Sequence, residues 1–230
     1  MTEFNGFPTD FFRFFQDLRE NNNRPWFQDN KNRYYESVVN PVSEFIVCIA
    51  PGLEKISRHY IADPKPHGGS MFRIYRDTRF SKDKRPYKTH VGLQFRHESM
   101  SRDVHAPGFY LHIEPGNVGV GAGMWQPDSL SLRRIRDHMV ERTDEWTAVR
   151  GALAEAGLEL MGESLKRPPR GFDGAHEHIE DLKRKSFAVH RKLSEGAVTA
   201  DDAVERVAAE FAKATPLVAL LCESQGLPFE

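Results

Sequence analysis

The chain has 230 residues, 39% hydrophobic and 28% charged, and its 32 basic against 33 acidic side chains leave a net charge of −1. That is ordinary composition for a water-soluble folded protein, long enough for one large core and read here as a single domain over residues 1–230. No apolar run approaches the ~18 residues of a membrane span, the start lacks a signal-peptide pattern, and Cys48 and Cys222 alone support neither a disulfide framework nor a thiolate zinc site, so a cytoplasmic protein with no membrane partner is expected.

In chain order, Thr9 is placed to cap a helix whose Phe11, Phe14, Phe15 and Leu18 follow the i, i+3, i+4, i+7 spacing of one buried face. Asn21, Asn22 and Asn23 end it. Pro25 suits the first turn of a second helix, where its missing N–H costs nothing. That helix carries Trp26, Phe27, Tyr34, Tyr35, Val38 and Val42. Pro41 should kink or divide it, and Phe45, Ile46 and Ile49 should continue the apolar stripe to a break at Pro51–Gly52.

From Met71 the period becomes two. Phe72 and Ile74 alternate with Arg73 and Tyr75, then Val91, Leu93 and Phe95 with His90, Gln94 and Arg96. A third run sets Phe109, Leu111 and Ile113 against Tyr110, His112 and Glu114, and a fourth follows Pro115–Gly116–Asn117 with glycine at 119, 121 and 123. Strands are expected over 71–76, 89–96, 108–114 and 118–125, with a fifth over Ser186–His190. Short connections imply antiparallel neighbours. After Pro127, helical stripes return in Leu132, Ile135 and Met139, then in Trp146, Val149, Leu153 and Leu160, with Thr199 capping a last helix before Pro216. The expected fold is α+β: a central antiparallel sheet, a meander of four or five strands, flanked by N-terminal and C-terminal helices.

The stretch from Met71 to His90 holds seven basic residues against Asp77 and Asp83, so it contributes +5 and the remainder of the chain −6. Arginine grips phosphate or carboxylate through paired hydrogen bonds and lysine adds a point charge. Arg73, Arg76, Arg79, Lys84 and Lys88 are therefore candidate ligand-binding residues, interleaved with Phe72, Ile74, Phe80 and Tyr87. A second basic cluster, with Arg167, Lys183 and Lys185, is expected to approach the first around one small phosphate- or carboxylate-bearing ligand. Strand parity places Arg73, Tyr75, His90, Gln94, Tyr110, His112 and Glu114 on one polar face, and His112, His90 and Tyr110 are the residue types that move protons near neutral pH.

Two other readings stay open. The basic segments could bind a nucleic-acid end or an acidic protein segment, with Phe80 and Tyr87 as stacking surfaces, or could be structural, paired with Asp77, Asp83, Glu180 and Asp181. No phosphate-loop or nucleophile-elbow pattern is present. His176-x-His178 with His90 and His112 fits no common zinc spacing, so no metal site is expected and no particular cofactor is implied.

Asn22, Arg24, Trp26, Phe27, Asn30 and Lys31, then RDTRFSKDKRPYKTH over Arg76–His90, FYLHIEP over Phe109–Pro115, RPPRGF over Arg167–Phe172 and LKRKSF over Leu182–Phe187 form a distinctive series. In these the chain resembles the uncharacterised family catalogued as domain of unknown function 2461. Glu177 departs from it, standing between His176 and His178 where such sequences usually carry proline. The resemblance covers nearly the whole chain and implies no activity.

Overall fold

A computed structural model describes residues 3–230. Helix α1 (Thr9–Glu20) buries Phe11, Phe12, Phe14, Phe15 and Leu18, and its N-cap is Pro8 with no side-chain bond, so Thr9 lies inside the first turn and does not cap it. Asn23 caps α2 (Arg24–Asp29) by accepting the Trp26 N–H at 3.0 Å. Helix α3 (Lys31–Tyr34), a π-helical turn (Tyr35–Val39) and α4 (Asn40–Ile56) then follow without a break. Pro41 falls in the first turn of α4, after the π turn, so the expected division is a change of helical pitch. The expected break at Pro51–Gly52 does not occur. α4 continues through Pro51 to Ile56, and Gly52 serves packing: a Cβ there would lie 2.9 Å from the Ala208 Cβ.

Arg33 ties α3 to α1, donating to Asp10 at 2.7 and 2.9 Å and to Asp17 at 2.7 Å. That guanidinium, with the Ser37 hydroxyl, holds the Asp10 carboxyl at about 2. A carboxyl depressed in the folded state stabilises it above the unfolded value of ~3.9, and the contribution disappears as pH falls toward 2. The pair is solvent-screened, so the effect is under ~1 kcal/mol. Asp10→Asn is expected to flatten the acid side of a Tm-against-pH curve between pH ~4 and ~2; an unchanged curve would remove this pair from the acid response.

Among the described residues six strands form one antiparallel sheet in the order β1-β2-β3-β4-β6-β5: β1 (Tyr60–Ile61), β2 (Val91–His97), β3 (Gly108–Glu114), β4 (Asn117–Met124), β5 (Leu160–Met161) and β6 (Phe187–Leu193). β2, β3 and β4 are the expected meander, β6 extends the expected fifth strand, and the short edges β1 and β5 make six. Residues 71–76 are not a strand. Met71 bridges Leu93 and the Phe72 N–H reaches the Gly92 carbonyl, but the chain then leaves the sheet and Tyr75 bridges Tyr87. Tyr87 cannot extend that ladder, because the Asn22 side-chain amide takes both its N–H and its carbonyl at 3.0 Å.

The sheet has two unlike faces. Val91, Leu93, Phe95, Phe109, Leu111, Ile113, Val118, Val120, Phe187 and Val189 are buried and face the helices. Phe211 of α9 (Ala203–Lys213) packs on Phe109 and Phe95 with ring centroids 5.1 and 5.9 Å apart. Each such fully buried phenylalanine contributes ~1.5–3 kcal/mol relative to exposure. Helices α5 (Ser129–Glu141) and α6 (Thr143–Glu155), then α7 (Ile179–Leu182), α8 (Gly196–Thr199), α9 and α10 (Thr215–Ser224) supply the rest of this layer. Leu160 belongs to β5 and not to the α6 stripe, and Thr199 closes α8 while Asp202 precedes α9. Among the described residues no helix is long and apolar enough to cross a membrane.

Candidate functional site

Three arginines of the basic loop pair with its own two carboxylates, although the stretch keeps a net positive charge. Arg79 pairs with Asp77 at 2.6 Å, and Arg76 and Arg85 both reach Asp83 at 2.8 Å. Lys84 donates to the Thr78 carbonyl at 2.9 Å. Phe80 stands 95% exposed at the tip with the Arg79 guanidinium 5.7 Å from its ring. Tyr87 is buried and stacked on Phe27 at 4.2 Å, so it offers no stacking surface to a partner.

The second basic cluster lies elsewhere. Strand register aligns Val91, Ile113, Val118 and Leu193 at one end of the sheet, and Arg96, Gly108, Gly123 and Ala188 at the other. The loop up to Lys88 enters β2 at the first end, whereas Lys183–Ser186 enter β6 at the second. The two segments therefore do not converge, and each carries its own counter-charges. Lys183 meets Glu180 at 2.6 Å, Arg184 meets Asp181 at 2.9 Å and Lys185 meets Glu163 at 2.8 Å. Arg136 of α5 holds the Leu182 and Arg184 carbonyls at 2.8 and 3.0 Å, and Arg167 is exposed. Ser186 is buried, accepting the Gln126 N–H at 3.0 Å.

The other face of the sheet is turned away from the helices. Across it run Gly92, His112, Gly119 and Lys192 in one row, Gln94, Tyr110, Gly121 and His190 in the next, and Arg96, Gly108, Gly123, Ala188 and Met161 in the third. A stripe without side chains on β4 leaves a trough between β3 and β6. It opens into a pocket of about 450 Å³ with Gly121 and Gly123 in the floor and Phe72, Tyr110, Trp125, Met161 and His190 around it. Residues Val104–Ala106 complete the rim, tied down by Gln94 donating to the Val104 carbonyl at 2.8 Å, Arg96 to Ser101 at 2.7 Å and a His105–Trp125 carbonyl bond of 2.7 Å.

Two cations stand over Phe72 of the pocket wall. The Lys88 ammonium and the Arg96 guanidinium lie 5.3 and 5.6 Å from the centroid of the same Phe72 ring. Lys88 donates to the Arg73 carbonyl at 3.0 Å, and among the described residues no carboxylate pairs with it. Burial, and then Arg73, push its pKa down. The Tyr110 hydroxyl, whose pKa burial raises, has no hydrogen-bond partner among the described residues.

At the Val91 end of the same face, the His90 and His112 rings stand 4.5 Å apart, and His112 Nε2 is 3.4 Å from Glu114 Oε2. Burial first, then His112 and Lys88, push the His90 pKa down to about 4 against an opposing pull from Glu114. His190 is lowered by burial and by His112, and its Nε2 occupies the space above Gly119, where a Cβ would come within 2.4 Å. Neutral imidazoles with unused ring nitrogens can accept a proton, donate one or ligate a metal.

A family model described as a conserved hypothetical protein matches residues 10–219. The chain belongs to the DUF2461 family. No curated protein and no solved structure matches it. In this DUF2461 chain the N-terminal motif supports the loop: Asn22 clamps Tyr87 and Phe27 stacks on it. RPPRGF packs on α5, with the Arg133 guanidinium 4.6 Å from the Phe172 ring. Of the sequence candidates, Lys88, His90, Tyr110 and His112 share the open face. Arg73 adjoins it through its carbonyl, Arg76, Arg79 and Lys84 belong to the self-paired loop, and Arg167, Lys183 and Lys185 lie at the far end. Sequence reading missed His190, Arg96 and Trp125 as site residues; parity along Ser186–His190 would have found the first, the alternation of Arg96 with Phe95 the second, and only the fold reveals Trp125.

Proposed function

We propose that this protein binds a small organic anion on the open face of its sheet, with the apolar body of the ligand over Gly121 and Gly123 and its phosphate or carboxylate toward Lys88 and Arg96. The observation that carries this reading is the Lys88 ammonium, half-buried over the Phe72 ring of the pocket wall and without a carboxylate partner among the described residues. Half-burying a cation without a counter-charge is costly, and an incoming anion offsets that cost with charge-assisted hydrogen bonds. On this proposal Tyr110, on the pocket wall, and His112 and His90, farther along the same face, are the groups that exchange a proton with the bound molecule. In this reading Arg76, Arg79 and Lys84 shape the loop and do not touch the ligand.

The test is a thermal-shift screen of phosphorylated and carboxylated metabolites, run in chelator and repeated on variants. Lys88→Ala is expected to weaken a hit by ~1.5–3 kcal/mol, the worth of a hydrogen bond to a charged group, and Gly121→Val to abolish it by filling the floor. Arg79→Ala should leave it unchanged. A hit insensitive to both Lys88→Ala and Gly121→Val would place the ligand elsewhere. If a hit is turned over, His112→Gln should lower kcat more than it raises KM.

A second reading has one observation in its favour, the fully solvated Phe80 ring with Arg79 upon it, which suits stacking on a base at a nucleic-acid end. Short single strands belong in the same screen. Binding lost in Phe80→Ala and retained in Gly121→Val would favour this reading over the pocket.

A further inference from the structure

We propose that His90, His112 and Glu114 bind a divalent first-row transition-metal ion at the edge of the open sheet face, with two imidazoles and one carboxylate as ligands and the remaining positions left for water or ligand.

Their donor atoms all lie within 4.8 Å of one another. β3 supplies His112 and Glu114, two residues apart and therefore on one face. The segment leading into β2 supplies His90, which shares that face with Gly92 and Gln94 by alternation. The separation of His112 Nε2 and Glu114 Oε2, 3.4 Å, is long for a hydrogen bond between such groups. It matches the edge of a tetrahedron built from bonds of ~2.1 Å, which is about 3.4 Å. His90 has no hydrogen-bond partner among the described residues, although its ring is packed at 4.5 Å against that of His112. The described histidines outside the cluster include His97, whose Nε2 meets the Pro228 carbonyl at 2.7 Å while Nδ1 accepts the Ser99 N–H at 3.2 Å. A satisfied histidine of that kind contrasts with the unspent nitrogens here.

The carboxylate is also set for the role. Glu114 Oε1 accepts from Thr89 Oγ1 at 3.0 Å and from Arg19 at 3.4 Å, which fixes the group and leaves Oε2 turned toward His112, with only a 3.5 Å contact from Asn117. Orientation of a ligating carboxylate by outer hydrogen bonds is how metal sites hold their geometry. Two imidazoles and one carboxylate on one side of an ion, with open positions opposite, suit iron(II), and the same donors accept zinc, cobalt or manganese. Lys88 and Arg19 are the nearby cations; Arg19 is spent on Oε1 and Lys88 on the Arg73 carbonyl.

The test is titration of chelator-stripped protein with Co²⁺ in the absence of any organic anion, read by visible absorption. One equivalent is expected to bind and give a band distinct from the hydrated ion. His90→Ala and His112→Ala should each remove that band, and Thr89→Ala should weaken binding by ~10–100-fold, the usual cost of losing an outer hydrogen bond. His138→Ala, which alters the separate His138, Glu145 and Glu223 group, should leave it unchanged. Absence of a stoichiometric band, or a band that survives His90→Ala and His112→Ala, overturns the proposal. Should either alanine variant fail to fold, Zn²⁺ added to the wild type must shift the imidazole signals of His90 and His112 and leave those of His97 in place. The anion screen runs in chelator and this titration without anion, so each proposal can fail alone.

Discussion

Asp181→Ala is expected to destabilise the protein by about 3–5 kcal/mol, the range for removing one partner of a buried ion pair. The Asp181 carboxylate is 7% exposed at the start of the segment leading into β6. It accepts the Trp146 indole N–H at 3.0 Å and the Arg184 guanidinium at 2.9 Å, and forms an ion pair with Arg150 at 3.2 Å. Truncation leaves a buried indole donor with nothing to bond and a mostly buried arginine with only the Leu160 carbonyl at 3.2 Å, and the desolvation cost of both falls on the folded state alone. Asp181→Asn keeps the shape and some of the bonds, so its cost should be smaller. Urea unfolding should show the midpoint of Asp181→Ala falling without a change in slope. A loss below ~1 kcal/mol, the scale of surface pairs, would mean that the second basic cluster is held by backbone packing and not by its ion pairs.

Gly123→Ala is expected to cost about 2–5 kcal/mol, combining backbone strain with overpacking, whereas Gly121→Ala, two residues away on the same strand face, should cost under ~1 kcal/mol because its neighbours need to yield only slightly. Gly123 sits at φ +116°, which disfavours any side chain, and an added Cβ would lie 2.2 Å from the Phe187 carbonyl oxygen. That oxygen belongs to the β4–β6 pairing, so relief requires moving the strand. At Gly121 the nearest atom is 3.3 Å away. The contrast separates two uses of glycine: Gly123 is required by the backbone, and Gly121 keeps the pocket floor clear. Equal costs at the two positions, measured by denaturant unfolding, would show that the pairing of β4 with β6 yields more readily than this geometry implies.

What the sequence determined by itself was local. The phenylalanine spacing of Thr9–Glu20, the antiparallel meander over 89–124 and the side of the sheet on which Tyr110 and His112 stand all follow from side-chain period, which depends only on neighbours along the chain. The family series was legible in the same way. Pro51 and Thr199 misled, since α4 runs through Pro51 to Ile56 and Thr199 ends α8 instead of capping the last helix.

The tertiary structure decided which charges remain available and which groups meet. Arg76 and Arg79 look like ligand residues in a charge count, but distances of 2.8 and 2.6 Å to Asp83 and Asp77 spend them. Lys88 differs because its ammonium is folded back over Phe72, where no carboxylate pairs with it among the described residues. The two basic clusters share a sign and not a place, since β2 and β6 are entered from opposite ends of the sheet, and entry depends on strand order. His90 meets His112 only because Gly92 pairs with it across strands. Coulomb energy and metal coordination depend on separations through space of a few ångströms, and pairing across the sheet, not spacing along the chain, sets those.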